Sequence, residues 1–367
     1  MPSINAQSLP LVCLARVLLL LGTVEAPAAQ PPFSQDPCRS GFEALQLKEI
    51  VVAVPLLEKC IVTGPSEIRP YLALCGIYQS QGRSDDLFRV AAAGLKRFPG
   101  EKRFYLTVGN HLGRKESYQE AIQVFEAGYR RWPDDKQLKE GLAEALLYLG
   151  LRVLDKNENQ EAEKHLRKVT ELADGNIDAH LNLGRALHNL NRSTDAVTEF
   201  DKVIALDPKL PLAWFHRGMV LQSLGEIDRA IADLTQEIKL NPEYPPSYLL
   251  RGRALMTKGE WNQALADLDA AARKMQDNPR AFSARGRCLN QLGRTSEAEA
   301  DFRRSIELDP DNPEPLNALG RLLWLSGKKD EGALLFQKAL ERSKAVRTVK
   351  PGEIRFEGAS PRKKESP

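Results

Sequence analysis

Apolar and small residues recur along most of the chain with a period too long for one helix or strand. Close-packing glycines lie 34 residues apart, at Gly150, Gly184, Gly218, Gly252, Gly286 and Gly320. Alanines lie twelve residues after these glycines, at Ala162, Ala196, Ala230, Ala264 and Ala298. Large apolar residues follow four positions further on, at Leu166, Phe200, Leu234, Leu268, Phe302 and Phe336. A fixed period of this length indicates a repeated supersecondary unit.

Each unit is predicted to be a pair of antiparallel helices. The glycine and the alanine mark the close approach of the two helices, because larger side chains would separate them. Large side chains four residues before the close-packing position fill the groove between pairs, at Tyr71, Tyr105, Trp214, Tyr248 and Phe282. The turn within each pair carries a second glycine suited to a helix C-cap, at Gly225, Gly259, Gly293 and Gly327. Prolines end the second helices, at Pro65, Pro99, Pro133, Pro208, Pro242 and Pro310.

These positions resemble the tetratricopeptide-repeat (TPR) family, whose 34-residue unit has a W…L-G…Y…A…F…P pattern. The resemblance covers residues 67–345 and implies an all-α fold, a right-handed α-solenoid of stacked helix-turn-helix (TPR) hairpins. About eight units are expected, which begin near Arg69, Arg103, Lys136, Ile177, Pro211, Pro245, Pro279 and Asn312. Cys75 stands where the family has glycine, and Gly332 stands where it has alanine. Such a match specifies the fold and leaves the ligand open.

The period slips once, between Gly109 and Gly150, where the interval is 41 instead of 34 residues. Seven extra residues amount to two helical turns, so a longer first helix keeps its apolar face in register. The sequence therefore predicts a helix from about Asp134 to about Leu154, with Gly141 as its weak point.

The two ends of the chain differ from the repeats. Residues 1–28 have the apolar stretch and the small residues of an export signal, although the positive charge, Arg16, lies late. We therefore expect an exported protein, periplasmic or extracellular, which contacts a membrane only if this segment is retained. Residues 29–66 are interpreted as a linker and a degenerate capping half-repeat with Pro55 inside its helix. Residues 346–367 form a basic tail, predicted to be flexible.

Cysteines concentrate in the first third of the mature chain. Cys38, Cys60 and Cys75 lie there, Cys288 is distant, and none has the spacing of a metal site. In an oxidising compartment a disulfide among the first three is expected, and Cys60 with Cys75 is the predicted pair. The alternative is that Cys60 and Cys75 are small buried apolar residues.

Composition and motifs argue against catalysis and against nucleic acid. The net charge is only +3, and the tail from Ala345 carries six Lys or Arg and three Glu. Phosphate-cradling, dinucleotide, zinc-protease and serine-hydrolase motifs are absent from the sequence. His180 occupies a groove-filling position and is interpreted as packing. Acids such as Asp201, Asp233, Asp267 and Asp301 are interpreted as a solvated outer face. We expect no cofactor and no metal.

One set of residues points to ligand binding. In the TPR family the first helices line a concave groove, and the residue after the close-packing glycine faces it. In five successive units this position holds Arg185, Met219, Arg253, Arg287 and Arg321. Polar residues three or four positions later are His188, Asn189, Gln222, Ser223, Asn290 and Gln291. Guanidinium groups bind carboxylates in bidentate fashion, which favours an acidic peptide; alternatively, the arginines pair with acids on neighbouring helices.

Three functions are compatible with this pattern. The first is a non-catalytic scaffold that binds a protein or peptide segment, acidic if the arginines contact it. The second is an assembly subunit that self-associates through an uncapped last repeat, where Leu334, Leu335, Phe336 and Leu340 have no following helix to cover them. The third is a partner that presents substrates to a separately encoded enzyme.

Overall fold

The structure, a computed structural model, describes residues 35–347. Within this range the chain forms eighteen α-helices and no strand, so the predicted all-α fold is confirmed. The described residues divide into two compact units, 35–104 and 105–347.

The first unit contains two hairpins and the start of a fifth helix. Its helices are α1 (Pro37–Gln46), α2 (Ile50–Val62), α3 (Arg69–Ser80), α4 (Ser84–Arg97) and the first residues of α5 (Lys102–Arg114). The sequence assigned a half-repeat to residues 29–66, whereas the structure has two helices there, α1 packed against α2. The interface contains Ala44 of α1 and Ala53 and Leu57 of α2, all of which are fully buried. Helix α2 continues through Pro55.

The predicted Cys60–Cys75 disulfide is wrong, because Cys60 pairs with Cys38. The two Cα atoms are 4.8 Å apart and the sulfurs are 2.05 Å apart. Cys38 begins α1 and Cys60 lies near the end of α2, and antiparallel helices bring such ends together. The sequence prediction gave α1 too little weight, so it matched Cys60 with the next helix. Cys75 is a free thiol, and burial raises the pKa of this thiol to about 11.

The second unit is a series of hairpins with the predicted period. Its helices, after α5, are α6 (Tyr118–Arg131), α7 (Lys136–Asp155), α8 (Asn159–Leu172), α9 (Ile177–Asn189), α10 (Ser193–Leu206), α11 (Ala213–Ser223), α12 (Ile227–Leu240), α13 (Pro245–Lys258), α14 (Trp261–Lys274), α15 (Pro279–Gln291), α16 (Thr295–Leu308), α17 (Pro313–Leu325) and α18 (Lys329–Arg347). Odd-numbered helices are the first of each pair. From α7 onward each packs on the even-numbered helix that follows, and α5 meets α6 where Gly109 faces the ring of Phe125.

Close packing within the hairpins explains the small residues. A Cβ on Gly184 would lie 2.8 Å from the ring of Phe200, which is closer than a carbon contact allows. The alanine twelve positions on, Ala196, is fully buried. The turn residue has a left-handed backbone in every unit, whether or not it is glycine. Its φ is +85° at Gly259 and +61° at Asn191.

Helix α7 confirms the predicted insertion. It has 20 residues, against 13 in α9, and runs without a break through Gly141. Asp135 caps its N-terminus by accepting a hydrogen bond from the backbone N–H of Leu138 at 3.0 Å.

Candidate peptide-binding groove

A large open cavity lies on the first helices of the second unit. Its volume is about 3110 Å³, and it is lined by one face each of α7, α9, α11 and α13 with the loops between hairpins. The predicted groove residues that line this cavity are Arg185, His188, Asn189, Met219, Gln222, Ser223 and Arg253. Small-molecule sites have volumes of roughly 300–1,000 Å³, so this groove has the dimensions for a polypeptide segment.

The remaining predicted residues lie elsewhere. Arg287 lines a smaller cavity of about 170 Å³ beside Gln222 and Arg253, and its Nη1 lies 2.7 Å from Glu314 Oε1. Arg321 and Asn290 line neither cavity and are exposed. The structure therefore brings two of the four predicted arginines into the large cavity and a third to its margin.

Arg185 and Arg253 differ in their surroundings. Arg253 is exposed and pairs with no carboxylate in the described part of the chain. Arg185 is partly buried, and its Nη1 donates a hydrogen bond to Asn182 Oδ1 at 2.7 Å. Asn182 lies one helical turn before Arg185, so the amide orients the guanidinium within the groove wall.

A second arginine ladder is structural. Arg217, Arg251 and Arg285, one residue before the close-packing glycines, each bind an aspartate sixteen residues later with two hydrogen bonds of 2.7 or 2.8 Å. The aspartates are Asp233, Asp267 and Asp301. Their side chains are almost fully buried, so the interpretation of these three acids as a solvated outer face is wrong. The bidentate bonds raise the pKa of each arginine.

The long helix α7 forms one end of the groove. It contributes acidic side chains at Glu140, Glu144 and Asp155 and an aromatic side chain at Tyr148. The Tyr148 ring stacks on Tyr118, with centroids 5.5 Å apart. The two extra turns of α7 break the repeat period, so the position of this wall could be predicted from the sequence. Its acidic residues were not predicted to lie in the groove.

A buried carboxylate positions α11. This helix is shorter than its counterparts and begins after Leu212, whose φ is +71°. Both oxygens of Glu237, on α12, accept a hydrogen bond from the backbone N–H of Leu212 at 3.1 Å. Burial raises the pKa of Glu237. The carboxylate thus replaces the missing N-cap side chain and sets the position of the groove residues that α11 carries.

Three further features of residues 35–347 concern metal binding, His180 and membrane crossing. No group of three or more His, Cys, Asp or Glu side chains in this range has the arrangement of a metal site. His180 is fully buried, with Nδ1 2.6 Å from Glu199 Oε2, so it is a packing residue within the hairpin. None of the helices in this range has the length and apolar character needed to cross a membrane.

Comparison with known proteins agrees with the repeat geometry. Three family models, each described as tetratricopeptide repeat, match residues 106–151, 153–214, 212–244, 249–313 and 293–346. The chain belongs to the tetratricopeptide-repeat family. No curated protein is significantly similar to it in sequence.

Solved structures share the fold at low sequence identity. PilF of Pseudomonas aeruginosa is 19% identical with a TM-score of 0.50, over 57% of this chain and 95% of PilF. MamA of Desulfovibrio magneticus RS-1 is 18% identical with a TM-score of 0.43, over 46% of this chain and 96% of MamA. Yeast Tom70 is 16% identical with a TM-score of 0.43, over 85% and 84% of the two chains. At such identities the likeness concerns the fold alone.

Proposed function

We propose that this protein is a non-catalytic scaffold that binds an acidic segment of another protein in the groove of α7, α9, α11 and α13. The observation that carries the proposal is the large cavity, on whose surface Arg253 has no carboxylate partner in the described residues. Arg253 differs in this respect from Arg217, Arg251 and Arg285, each of which is already paired with an aspartate. An arginine that no described carboxylate neutralises is available to a ligand carboxylate.

The test compares proteins captured by three tagged forms of the chain: wild type, Arg253→Glu and Arg304→Glu. Arg304 is an exposed arginine on α16 outside the cavity, so it controls for the change of charge alone. We expect wild type and Arg304→Glu to capture the same protein through an acidic segment, and Arg253→Glu to lose it. Capture that is unchanged in Arg253→Glu would refute binding in this groove.

We also propose that the protein is exported. The pattern of residues 1–28 motivates this, and the Cys38–Cys60 disulfide supports it, because such bonds persist in oxidising compartments. The experiment is fractionation of the source cells with mass spectrometry of the N-terminus of the purified chain. An intact Met1 in a cytosolic fraction would contradict the proposal.

Self-association is the second candidate function. On α18, Leu334 is 51% exposed and Leu340 is 56% exposed, so the last hairpin presents apolar surface in the described structure. A second copy that packs on this face would bury it. Sedimentation of wild type and Leu340→Glu over a range of concentrations tests this candidate. A wild-type chain that stays monomeric throughout would eliminate it.

A further inference from the structure

Arg185 is a partly buried cation that forms no ion pair with residues 35–347. Among residues 35–347 its only hydrogen-bond acceptor is the neutral amide of Asn182, at 2.7 Å. Burial lowers the pKa of Arg185, and the attraction of Asp155 on α7 opposes this effect. A guanidinium withdrawn from water is unfavourable unless an anion accepts its hydrogen bonds. This place in the groove wall therefore favours the addition of an anion.

His216, on the neighbouring first helix α11, lines the same cavity, and one of its ring nitrogens is buried without a hydrogen-bond partner among residues 35–347. Its ring stacks on Phe200 with centroids 5.8 Å apart and meets Phe215 edge-on at 5.5 Å. Its Nδ1 is buried and forms no hydrogen bond with any described residue. Burial, together with Arg185 and His188, lowers the pKa of His216 to about 3. The imidazole is thus neutral near neutral pH, and Nδ1 needs a partner.

His188 completes the cluster from α9. It lies one turn after Arg185, and its Nδ1 is 3.3 Å from Ser193 Oγ. Burial lowers the pKa of His188 as well. The cluster therefore contains one permanent cation and two imidazoles.

The acids on α12 that lie near the cluster already have partners. On α12, next to α11, Asp233 is bound by Arg217 and Glu237 by the backbone of Leu212. Helix α10 presents the apolar ring of Phe200 to His216. Helix α13 adds a further cation to the cavity, Arg253. Asp155 is thus the one carboxylate with a described electrostatic effect on Arg185.

We propose that Arg185, His188 and His216 form an anion subsite that takes one carboxylate of the bound segment, with the His216 imidazole taking up a proton as the carboxylate enters. This inference rests on the proposed groove function and names the chemistry of one contact within it. The carboxylate accepts hydrogen bonds from the Arg185 guanidinium and from His216 Nδ1–H, so both unsatisfied groups acquire a partner.

The sign of the pH dependence follows from proton uptake. Free protein holds His216 neutral, and the bound carboxylate favours its charged form, so the complex carries one more proton than its separate components. Binding therefore strengthens as pH falls. One proton taken up gives about a tenfold gain in affinity for each pH unit, so we expect a gain of up to about 300-fold between pH 7.5 and pH 5.

The experiment measures affinity of the full chain for synthetic peptides by calorimetry at both pH values. Hexaglutamate with a blocked C-terminus offers side-chain carboxylates, and hexaglutamine with a free C-terminus offers a terminal carboxylate. Binding of either, tighter at pH 5, supports the subsite and identifies the source of the carboxylate. Titration of the His216 ring by NMR, with and without peptide, reports proton uptake in the unaltered protein.

Three variants separate the subsite from the groove as a whole. Arg185→Gln should weaken binding about tenfold, the loss expected for one charge-assisted contact. Arg321→Gln, a matched change outside the cavity, should leave affinity unchanged. His216→Phe preserves the stacking on Phe200 and should abolish the pH dependence. If the acidic peptide binds but Arg185→Gln and His216→Phe behave as wild type, the subsite is refuted and the groove function stands. If neither peptide binds at either pH, both proposals fail.

Discussion

Replacement of Asp267 by alanine would remove both hydrogen bonds that the carboxylate accepts from Arg251, each 2.7 Å long. The side chains of Arg251 and Asp267 are 20% and 8% exposed, so the guanidinium would stay in a poorly hydrated position with one remaining partner, Thr235, at 3.1 Å. Loss of one partner of a buried ion pair costs about 3–5 kcal/mol. In a unit of this size each kcal/mol lowers Tm by about 2–4 °C, so we expect a drop of about 10 °C.

Circular dichroism melts measure this effect, and Asp201→Ala is the matched control. Asp201 is 49% exposed and binds Arg217 through a single contact of 2.6 Å, so its removal should cost less than about 1 kcal/mol. The double variant Arg251→Met with Asp267→Leu should recover most of the loss, since no unpaired charge remains. Equal effects of Asp267→Ala and Asp201→Ala would show that the ladder is not structural and that burial does not distinguish these acids.

Three further predictions concern other parts of the chain. Cys38→Ser should destabilise the first unit by about 3 kcal/mol, because it opens the disulfide to Cys60, and thiol counting should then find one more free thiol than in wild type. Gly184→Ala should destabilise the second unit by about 1–3 kcal/mol in thermal melts, because the added Cβ would lie 2.8 Å from Phe200; an unchanged Tm would mean that the hairpin can open at no cost. Since burial raises the pKa of Glu237 in the folded state, its contribution to stability is greatest at low pH and declines as pH rises from the ordinary value of 4.5 through the folded-state value. Melts of Glu237→Gln from pH 4 to 8 should therefore lack part of the decline seen in wild type.

The repeat residues allowed the fold to be predicted because they act locally and recur. Gly184 and Ala196 each mark a place where two helices pack closely. Because the same residue types recur in successive units, they indicate both the hairpin and its period. The broken interval before Gly150 located α7 for the same reason. The Cys38–Cys60 pair was missed because Gly41 was not recognised as the close-packing position of a first hairpin. Gly41 lies 34 residues before Cys75, and a Cβ on it would lie 2.8 Å from Leu57.

The groove was harder to predict because repeat symmetry fixes backbone positions and leaves side-chain partners free. Arg185 and Arg287 occupy equivalent positions, yet one contacts an amide on its own helix and the other a carboxylate on the next first helix. The structural ladder did leave a signal, because Arg251 and Asp267 repeat with a constant separation of sixteen residues in three consecutive units. The unpaired Nδ1 of His216 could not be predicted from the sequence, because its lack of a partner depends on which side chains surround the ring in the fold.

If a segment binds in the proposed groove, the two extra turns of α7 would limit how it can be aligned. Hairpins with a constant 34-residue step offer nearly the same contacts at each step, so a long segment bound to identical hairpins could slide by one step with little change in energy. Seven additional residues extend α7 by about 10 Å, and they occur once in the described array. A ligand that contacts Tyr148 or Glu144 on this wall has one alignment that satisfies all of its contacts. In the proposed complex, the irregular helix would therefore fix the register of the bound segment.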